Sequence, residues 1–327
     1  MSARGALRIG TRASQLALWQ ANRVAELLAL QPEAPAATLV HIRTEGDART
    51  DIPLWRAGGR AFFTHEIDRA LLGGDIDVAV HSLKDLATAL EQGLTLCAVL
   101  EREDPRDALI ARAGVSLAAL PAGARVGTSS LRRRAFLARA RPDLKLEELR
   151  GNVPTRIERL DQGGYEAIVL AAAGLKRLGL AARISEYLSP QQFPPAVAQG
   201  AIGVVVREGD TQVARWVKGL DHFATRVAIV AERALLKRIE GGCQVPLGAL
   251  AAVSDLRLSL EARVCALDGS RSLAASGETR LGAADATPAS AIGRATALGE
   301  RLGDELLAQG AMELIAQLRA ATAVSPP

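Results

Sequence analysis

Short apolar runs alternate with amphipathic segments along the first 180 residues of this chain. Residues 7–11 form a mainly apolar run that predicts a buried strand, and residues 15–30 space their apolar side chains as a helix does, with Ser14 in position to cap its start. The inward face predicted for this helix consists of Leu16, Trp19, Val24 and Leu27. The same alternation predicts further strands at 38–43, 75–80, 94–100, 124–127, 145–149 and 168–171, and helices at 62–72, 130–141, 154–162 and 173–178. Strands alternating with helices are typical of βα units on parallel sheets.

Two stretches interrupt this alternation and predict that the chain crosses twice between two α/β lobes. They are the charged cluster at 101–107 and the segment 193–207, which contains Pro194-Pro195 and Gln199-Gly200. After a long helix predicted at 225–240 the pattern changes to three antiparallel strands, at 245–253, 255–266 and 271–280, followed by helices at 289–308 and 312–320. We therefore predict lobe 1 at 1–100 and 201–218, lobe 2 at 101–200, an α+β domain at 219–322 and a frayed tail at 323–327.

The positive charge of the chain is concentrated in its middle third. The net charge is +4 overall, yet residues 101–200 carry sixteen Lys/Arg and eleven Asp/Glu, whereas the net charge is −1 over residues 1–100 and zero over residues 201–327. This distribution predicts one anion-facing region rather than a basic coat. Thirty-five of the forty cations are Arg, which suits planar recognition of carboxylate or phosphate but is also what genomic base composition alone can produce. Aromatic residues, at 3%, are too few for a single-stranded nucleic-acid binder built on stacking.

The cysteines and the apolar stretches indicate a reducing compartment. Cys97, Cys243 and Cys265 lie far apart without a C-x-x-C pair, so neither a disulfide framework nor a metal site is expected. The amino terminus has no apolar run of signal-peptide length. The longest uncharged stretch, 187–206, contains three prolines and three glutamines and is a poor membrane-spanning helix. We therefore predict a cytoplasmic protein without membrane association.

Two segments of the middle third predict an anion site. GTSSLRRR at 127–134 and RGNVPTR at 150–156 each follow a strand and begin a helix, where free backbone amides and hydroxyls attract anions. Arg12 and Arg177 also follow predicted strands, and open α/β sheets bind ligands at the carboxyl ends of their strands. Several arginines at one edge favour a ligand with several carboxylates. The alternative is ordinary helix caps followed by solvated basic faces.

Two other positions are candidates for chemistry. Lys84-Asp85 follows a predicted strand, where the carboxylate could accept from an N–H, stabilise a cation or act as an acid; the alternative is a surface ion pair. His81, just before them, is expected to be structural and to bond the backbone. Cys243 lies in EGGCQVPLG at 240–248, a turn that displays it as a nucleophile or attachment point, whereas Cys97 and Cys265 fit buried positions.

Taken together, the motifs resemble the porphobilinogen deaminase (hydroxymethylbilane synthase) family from residue 7 to about residue 318. They are RIGTRAS at 8–14, AVHSLKD at 79–85, EREDPRDA at 101–108, GTSSLRR at 127–133, LRGNV at 149–153, AAAGLKRLGL at 171–180 and EGGCQVPLG at 240–248. The resemblance implies two lobes like those of periplasmic binding proteins, joined by a double-crossing hinge, and a C-terminal α+β domain with a three-stranded antiparallel sheet. It also implies a transferase of heme biosynthesis, which joins four porphobilinogen molecules head to tail with loss of ammonia and releases hydroxymethylbilane. Separately from the resemblance, we expect a monomer.

The resemblance assigns roles to individual residues of this chain. A dipyrromethane cofactor would be held by a thioether to Cys243, and Asp85 would be the catalytic carboxylate that stabilises the cation left when ammonia departs. The acetates and propionates of the cofactor would be bound by Lys84, Thr128, Ser130, Arg132, Arg133, Arg150 and Arg156. The incoming substrate would be bound by Arg12, Ser14, Arg177, Gln199 and Phe63. A mobile loop would correspond to residues 49–59.

Some positions depart from the pattern of the family, and two other classes of function stay open. Ala198 stands where Gly is common, Leu86-Ala87 where Val-Pro or Met-Pro is usual, and Ala61 and His65 where Gly and Lys are common. These departures concern the hinge and the loop rather than the reaction. A two-lobed anion receptor without catalysis would share the first two lobes, although fold alone does not decide between receptor and enzyme. The pI of 9.2 is also compatible with nucleic-acid binding, which the neutral outer thirds and scarce aromatics disfavour.

Overall fold

The fold consists of three β-sheets flanked by helices. The computed structural model describes residues 5–48, 64–239, 245–282 and 287–323, with the backbone alone for 47–48 and 319–323. Its strands are β1 Leu7–Thr11, β2 Ala37–His41, β3 Val78–Ser82, β4 Leu94–Val99, β5 Asp107–Ala111, β6 Arg125–Gly127, β7 Lys145–Glu147, β8 Ala167–Ala171, β9 Glu186–Tyr187, β10 Ile202–Arg207, β11 Leu247–Ser254, β12 Arg257–Cys265 and β13 Ser272–Arg280.

Helices connect most of these strands. They are α1 Gln15–Ala29, α2 Glu45–Ala48, α3 His65–Gly73, α4 Leu131–Ala140, α5 Val153–Asp161, α6 Ala172–Arg177, α7 Thr211–Lys218, α8 Phe223–Arg238, α9 Pro288–Ala308 and α10 Ala311–Ala323, with 3₁₀ turns at Leu83–Asp85 and Ala181–Arg183. In the described part of the chain, no helix combines the length and apolar character needed to cross a bilayer.

The sheets of the two lobes contain the parallel βα units that the pattern indicates, but each sheet is mixed and also includes antiparallel strands. In the first sheet, ordered β2-β1-β3-β10-β4, β1 runs parallel to β2 and β3, whereas β10 runs antiparallel to β3 and β4. In the second, ordered β7-β6-β8-β5-β9, β6 runs parallel to β7 and β8, whereas β5 runs antiparallel to β8 and β9.

The exceptional strands β10 and β5 are the first strands after each crossing between lobes. β10 begins opposite the end of β3, with Ile202 paired to Ser82, and β5 begins opposite the end of β8, with Asp107 paired to Ala171. Both strands therefore start at the edge where the parallel strands end, which forces them to run antiparallel. No strand was predicted for β5, because Asp107 was assigned to the charged crossing.

The third sheet, β11-β12-β13, is antiparallel throughout, as predicted. Helices α8 and α9 pack closely beside it, since a Cβ on Gly299 of α9 would lie 2.2 Å from the backbone oxygen of Ala231 in α8. The fold class is thus confirmed: two α/β lobes between which the chain crosses twice, and an α+β domain with a three-stranded antiparallel sheet. The exact domain boundaries stay a prediction, and residues 324–327 of the predicted tail lie outside the described residues.

A buried carboxylate of α8 joins the two crossings. Glu232 is fully buried and accepts from Arg102 Nη1 of the first crossing at 2.5 Å and from the N–H of Ala198 in the second at 2.7 Å. It also accepts from the N–H of Ala251 in β11 at 2.8 Å. The α+β domain is therefore tied to the point where the lobes meet.

Helix α1 begins as predicted, but its buried face is different. Ser14 caps it and accepts from Ala17 N at 3.4 Å. Val24 is buried as expected, whereas Trp19 is 38% exposed and Leu28 is buried instead of Leu27. The buried stripe is offset from the predicted one, and this turns Trp19 toward the second lobe, where the guanidinium of Arg177 lies 5.5 Å from the centre of its ring.

Candidate active site

A cleft of about 670 Å³ lies between the two lobes and is closed on one side by the α+β domain. The carboxyl ends of β3 and β8 open into it, as expected for open α/β sheets. The predicted site residues that line the cleft are Arg12, Ser14, Lys84, Asp85, Ser130, Arg132, Arg133, Arg150, Arg156, Arg177 and Gln199. From the α+β domain come the side chains of Leu236, Val245 and Leu247.

Lys84 and Asp85 lie in the 3₁₀ turn that directly follows β3. The turn is fixed against the second crossing, because Leu83 N donates to Ala201 O at 3.0 Å. Lys84 Nζ lies 3.5 Å from Gln199 Oε1. Burial lowers the pKa of Lys84 to about 8, an effect that Asp85 opposes and Arg133 reinforces. This wall of the cleft therefore contains an amine that can change its charge near neutral pH.

The start of α4 places two arginines in the opposite wall. Ser130 caps the helix and accepts from Arg133 N at 3.4 Å. The side chains of Arg132 and Arg133 are buried, and Arg132 Nη1 donates to Pro194 O at 2.6 Å while Arg133 Nη1 donates to Val169 O at 3.0 Å. Burial lowers the pKa of Arg132.

Asp107 is the main partner of both arginines, and sequence reasoning missed it. It accepts from Arg132 Nη2 at 2.7 Å and from Arg133 Nη2 at 2.8 Å. Burial acts to raise the pKa of Asp107, but the two guanidiniums outweigh it and hold that pKa well below its usual range. The available signal was the run Ala-Leu-Ile-Ala at 108–111, which marks a strand that begins on this aspartate.

Thr128 does not line the cleft, although it was expected to bind the cofactor. It is 1% exposed, and its Oγ1 accepts from Ser130 N at 3.3 Å. Its neighbour Ser129 lines the cleft instead. Thr128 thus supports the turn that presents Ser130.

Arg150 reaches the cleft from the turn before α5, and Arg156 reaches it from the start of α5 itself. Gly151 has a φ of 110°, which favours glycine, and Asn152 caps the helix by accepting from Thr155 N at 3.0 Å. Arg156 Nε donates to Gly151 O at 2.7 Å. Burial, followed by repulsion from Arg133 and Arg150, lowers the pKa of Arg156 to about 10. Burial is the larger cause, and the repulsion arises because these three arginines lie near one another at this wall.

Of the residues expected to bind substrate, Arg177 contacts the second crossing and Gln199 belongs to it. Arg177 Nη2 donates to Gly200 O at 2.7 Å, and burial lowers the pKa of Arg177 to about 10. Gln199 uses both ends of its amide, since Nε2 donates to Pro105 O at 2.8 Å and to Asp107 Oδ1 at 2.9 Å while Oε1 faces Lys84. Gln199 therefore bridges the two lobes.

Some candidates fall elsewhere. Phe63, Cys243, Ala61 and the predicted loop 49–59 lie outside the described residues. Cys97 and Cys265 are buried free thiols whose pKa burial raises, as suits small apolar side chains. His81, in contrast, lines the cleft and is buried as expected, but its Nε2 lies 3.4 Å from Asp68 Oδ1 on α3 rather than on a backbone group. Arg134, a neighbour of the arginine pair, does not line the cleft.

The fold and the cleft define a two-lobed α/β protein with a binding site for a ligand that carries several negative charges. Comparison with known proteins narrows this class. Residues 7–215 match the family described as "Porphobilinogen deaminase, dipyromethane cofactor binding domain", and residues 227–308 match "Porphobilinogen deaminase, C-terminal domain". The chain belongs to the porphobilinogen deaminase family.

Relatives described as porphobilinogen deaminase align with this chain over almost their whole length. A porphobilinogen deaminase of Syntrophotalea carbinolica is 47% identical over 313 residues, covering 96% of each chain. One from Roseiflexus sp. is 51% identical over 312 residues, covering 95% of this chain and 98% of the relative. Among solved structures, the methionine binding protein MetQ matches 65% of this chain and 88% of its own at 14% identity and a TM-score of 0.42. The VFT2 domain of Bordetella pertussis BvgS matches 66% and 86% at 16% identity and a TM-score of 0.41.

Proposed function

We propose that the chain is a transferase that condenses four porphobilinogen molecules head to tail, with loss of ammonia at each step, and that water then releases hydroxymethylbilane. Family membership over nearly the whole chain supports this activity. The observation that carries it is a cleft in which the carboxylate Asp85 is accompanied by buried arginines on the opposite wall. Each porphobilinogen brings two carboxylates and one pyrrole N–H, and these groups require arginines and a carboxylate respectively.

The cleft fits a dipyrromethane cofactor, whose two rings together carry four carboxylates. Arg132 Nε is buried and has no hydrogen-bond partner among the described residues, and repulsion from Arg133 and Arg150 adds to burial in lowering the pKa of Arg156. When bound, the cofactor supplies the pyrrole carbon to which the first substrate is joined. We assign its carboxylates to Lys84, Ser130, Arg132, Arg133, Arg150 and Arg156, with Thr128 acting through the turn of Ser130.

Asp85 is the group we assign to the chemistry. Its position at the end of β3 places a carboxylate in the cleft on a turn that the second crossing holds in place. There it accepts a hydrogen bond from a pyrrole N–H and stabilises the positive charge that develops on the substrate as ammonia leaves. Lys84 beside it binds a carboxylate while it is protonated.

Arg12, Ser14, Arg177 and Gln199 are assigned to the incoming substrate, together with Phe63, which lies outside the described residues. All four described residues line the cleft. Arg12 and Arg177 lie on different lobes, so a substrate carboxylate bound by both would hold the lobes together. Gln199 contributes by bridging Lys84 and Asp107.

Cys243 is proposed as the attachment point of the cofactor through a thioether. It lies outside the described residues, but Leu236 and Val245, which are described on either side of 240–244, line the cleft. The buried Cys97 and Cys265 support the choice by elimination, since burial raises the pKa of both thiols and disfavours the reactive thiolate.

The activity is tested by incubating the purified protein with porphobilinogen and measuring ammonia and the linear tetrapyrrole. We expect one ammonia for each porphobilinogen consumed and one tetrapyrrole for every four. A two-lobed receptor would instead bind porphobilinogen and return it unchanged, and this result would contradict the proposal.

We also propose that the enzyme is cytoplasmic and that it binds neither membranes nor nucleic acid. We propose further that it is a monomer. Sedimentation tests the last point, since a monomer has the chain mass of 34.3 kDa. A nucleic-acid binder would show an affinity for DNA that falls steeply with salt.

A further inference from the structure

One buried carboxylate orders both arginines at the start of α4. Asp107, at the beginning of β5, has no exposed surface. Its Oδ2 accepts from Arg132 Nη2 at 2.7 Å, while its Oδ1 accepts from Arg133 Nη2 at 2.8 Å and from Arg133 Nε at 3.1 Å. Gln199 Nε2 donates to the same Oδ1 at 2.9 Å. Each oxygen is therefore directed at a different guanidinium, and one side chain fixes the orientation of two.

The hydrogen bonds to Asp107 leave one buried N–H donor of the arginine pair without a partner among the described residues. Arg132 uses Nη2 on Asp107 and Nη1 on Pro194 O, yet its buried Nε has no partner among the described residues. Arg132 and Arg133 line the cleft, whereas Asp107 does not. Two guanidiniums share one carboxylate, so the cluster keeps one net positive charge for an anionic ligand.

We propose that Asp107 is the positioning residue of this arginine pair: it holds both guanidiniums in the geometry that receives ligand carboxylates and sets the charge of that wall of the cleft. This inference rests on the proposed function. Asp107 acts through Arg132 and Arg133 and does not itself contact the ligand.

A second buried ion pair provides the matched comparison. Glu232 is also fully buried and also accepts from an arginine, Arg102, as well as from two backbone N–H groups. Neither Glu232 nor Arg102 lines the cleft. Removing the Glu232 carboxylate therefore breaks a buried ion pair but leaves the positions of Arg132 and Arg133 unchanged. Its effect on stability shows what the loss of a buried ion pair alone does to the fold.

The charge of Asp107 also acts on Lys84, which gives a measurement that a purely structural role would not change. The charged groups that face Lys84 are Asp85 and Asp107, which raise its pKa, and Arg132 and Arg133, which lower it. Removing the negative charge of Asp107 therefore lowers the pKa of Lys84 below its value of about 8. Lys84 binds carboxylates only while it is protonated, so activity should decline as the pH rises through its pKa, and in the variant this alkaline decline should move to lower pH.

The test compares Asp107→Asn, Asp107→Glu and Glu232→Gln with the wild type. For each purified protein we would measure the fraction that carries covalent pyrroles by intact mass, kcat/KM for porphobilinogen, and the pH profile. Asp107→Asn is expected to lower the pyrrole-bearing fraction, to reduce kcat/KM about tenfold or more, and to shift the alkaline decline to lower pH. Asp107→Glu keeps the charge but displaces it by one methylene, so kcat/KM falls while the alkaline decline stays. Glu232→Gln lowers the unfolding temperature without shifting that decline.

Several outcomes would overturn the inference. Asp107→Asn with a wild-type pH profile and kcat/KM would do so, as would an equal pH shift in Glu232→Gln. Should Asp107→Asn fail to fold, Asp107→Glu tests the proposal instead. A wild-type kcat/KM in Asp107→Glu would contradict the proposal that Asp107 positions the two arginines. A wild type that neither carries pyrroles nor consumes porphobilinogen contradicts the proposed function instead.

Discussion

The two walls of the cleft carry different kinds of charge. The wall of the first lobe presents Lys84 and Asp85, and burial brings the pKa of Lys84 to about 8. The wall of the second lobe presents Arg132, Arg133 and Arg156, and arginine is a side chain that keeps its positive charge in proteins. The first wall can therefore change its charge near neutral pH, whereas the charge of the second stays fixed. In the proposed assignment the catalytic carboxylate lies on the first lobe, and carboxylates are bound by both lobes, chiefly by the arginines of the second.

The two walls also differ in how they are built. The arginines extend from the first turns of α4 and α5, where cationic side chains oppose the helix dipole. The carboxylate of Asp107 compensates part of that cost. Lys84 and Asp85 instead lie on a three-residue 3₁₀ turn that hydrogen-bonds to the second crossing. A movement of the crossing would thus reach the first wall directly.

The largest effect is expected at the carboxylate of the first wall. Asp85→Asn keeps the shape but removes the negative charge, so kcat should fall about 10³-fold while the unfolding temperature stays near that of the wild type. Steady-state turnover of porphobilinogen measures it. The control is Asp75→Asn, an exposed acid of the same lobe that does not line the cleft. Turnover within a few-fold of the wild type in Asp85→Asn would remove Asp85 from the chemistry.

On the second wall, a single arginine should affect binding more than the chemical step. Arg156→Met removes one charge-assisted partner of the ligand, and we expect the pyrrole-bearing fraction to fall and KM for porphobilinogen to rise about 10-fold or more. Intact mass and initial rates measure these effects. Arg134→Met provides the control, since Arg134 lies on α4 but outside the cleft. Equal effects of the two substitutions would show that general positive charge, not this wall, binds the ligand.

The pH dependence separates the two walls. Lys84 is protonated below its pKa of about 8 and loses its charge above it, so affinity for carboxylates, and with it kcat/KM, should decline as the pH rises through about 8. In Lys84→Arg the guanidinium keeps its charge, and this decline should disappear even if the rate is lower. Rates between pH 6 and 10 measure both profiles. If kcat/KM of Lys84→Arg declined over the same pH range, the decline would have to come from another group.

The smallest effect is expected at the crossing between the walls. Ala198 has a φ of 63°, a left-handed conformation that costs a non-glycine residue about 1–2 kcal/mol. Ala198→Gly removes this cost, but glycine loses more conformational entropy on folding, which lowers the stability by about 0.5–1 kcal/mol. The difference favours the variant, so its unfolding temperature should rise by about 1–3 °C. Ala201→Gly, in the same segment but without a positive φ, should lower the unfolding temperature. A drop in both variants would mean that Ala198 is not strained.

Local patterns predicted most elements of both lobes and the strand edge at which the candidate residues lie, because strand ends and helix caps are encoded by neighbouring residues. They missed β5, β9, β10 and α7. They did not predict the contacts between distant segments. Asp107 lies 25 residues before Arg132 and follows a run of charges, so its role as their common partner required the tertiary structure. Trp19 has the helical spacing of a core residue, yet it faces Arg177 of the other lobe. The antiparallel course of β5 and β10 follows from the crossings rather than from local pattern.

The central claim is that the cleft holds a covalent pyrrole group which this chain extends. Intact mass of the purified protein, with peptide mapping, tests it most directly. We predict an added mass equal to two deaminated porphobilinogen units, located on the peptide that contains Cys243. A bare chain that stays bare after incubation with porphobilinogen, or an adduct on another residue, would contradict the account.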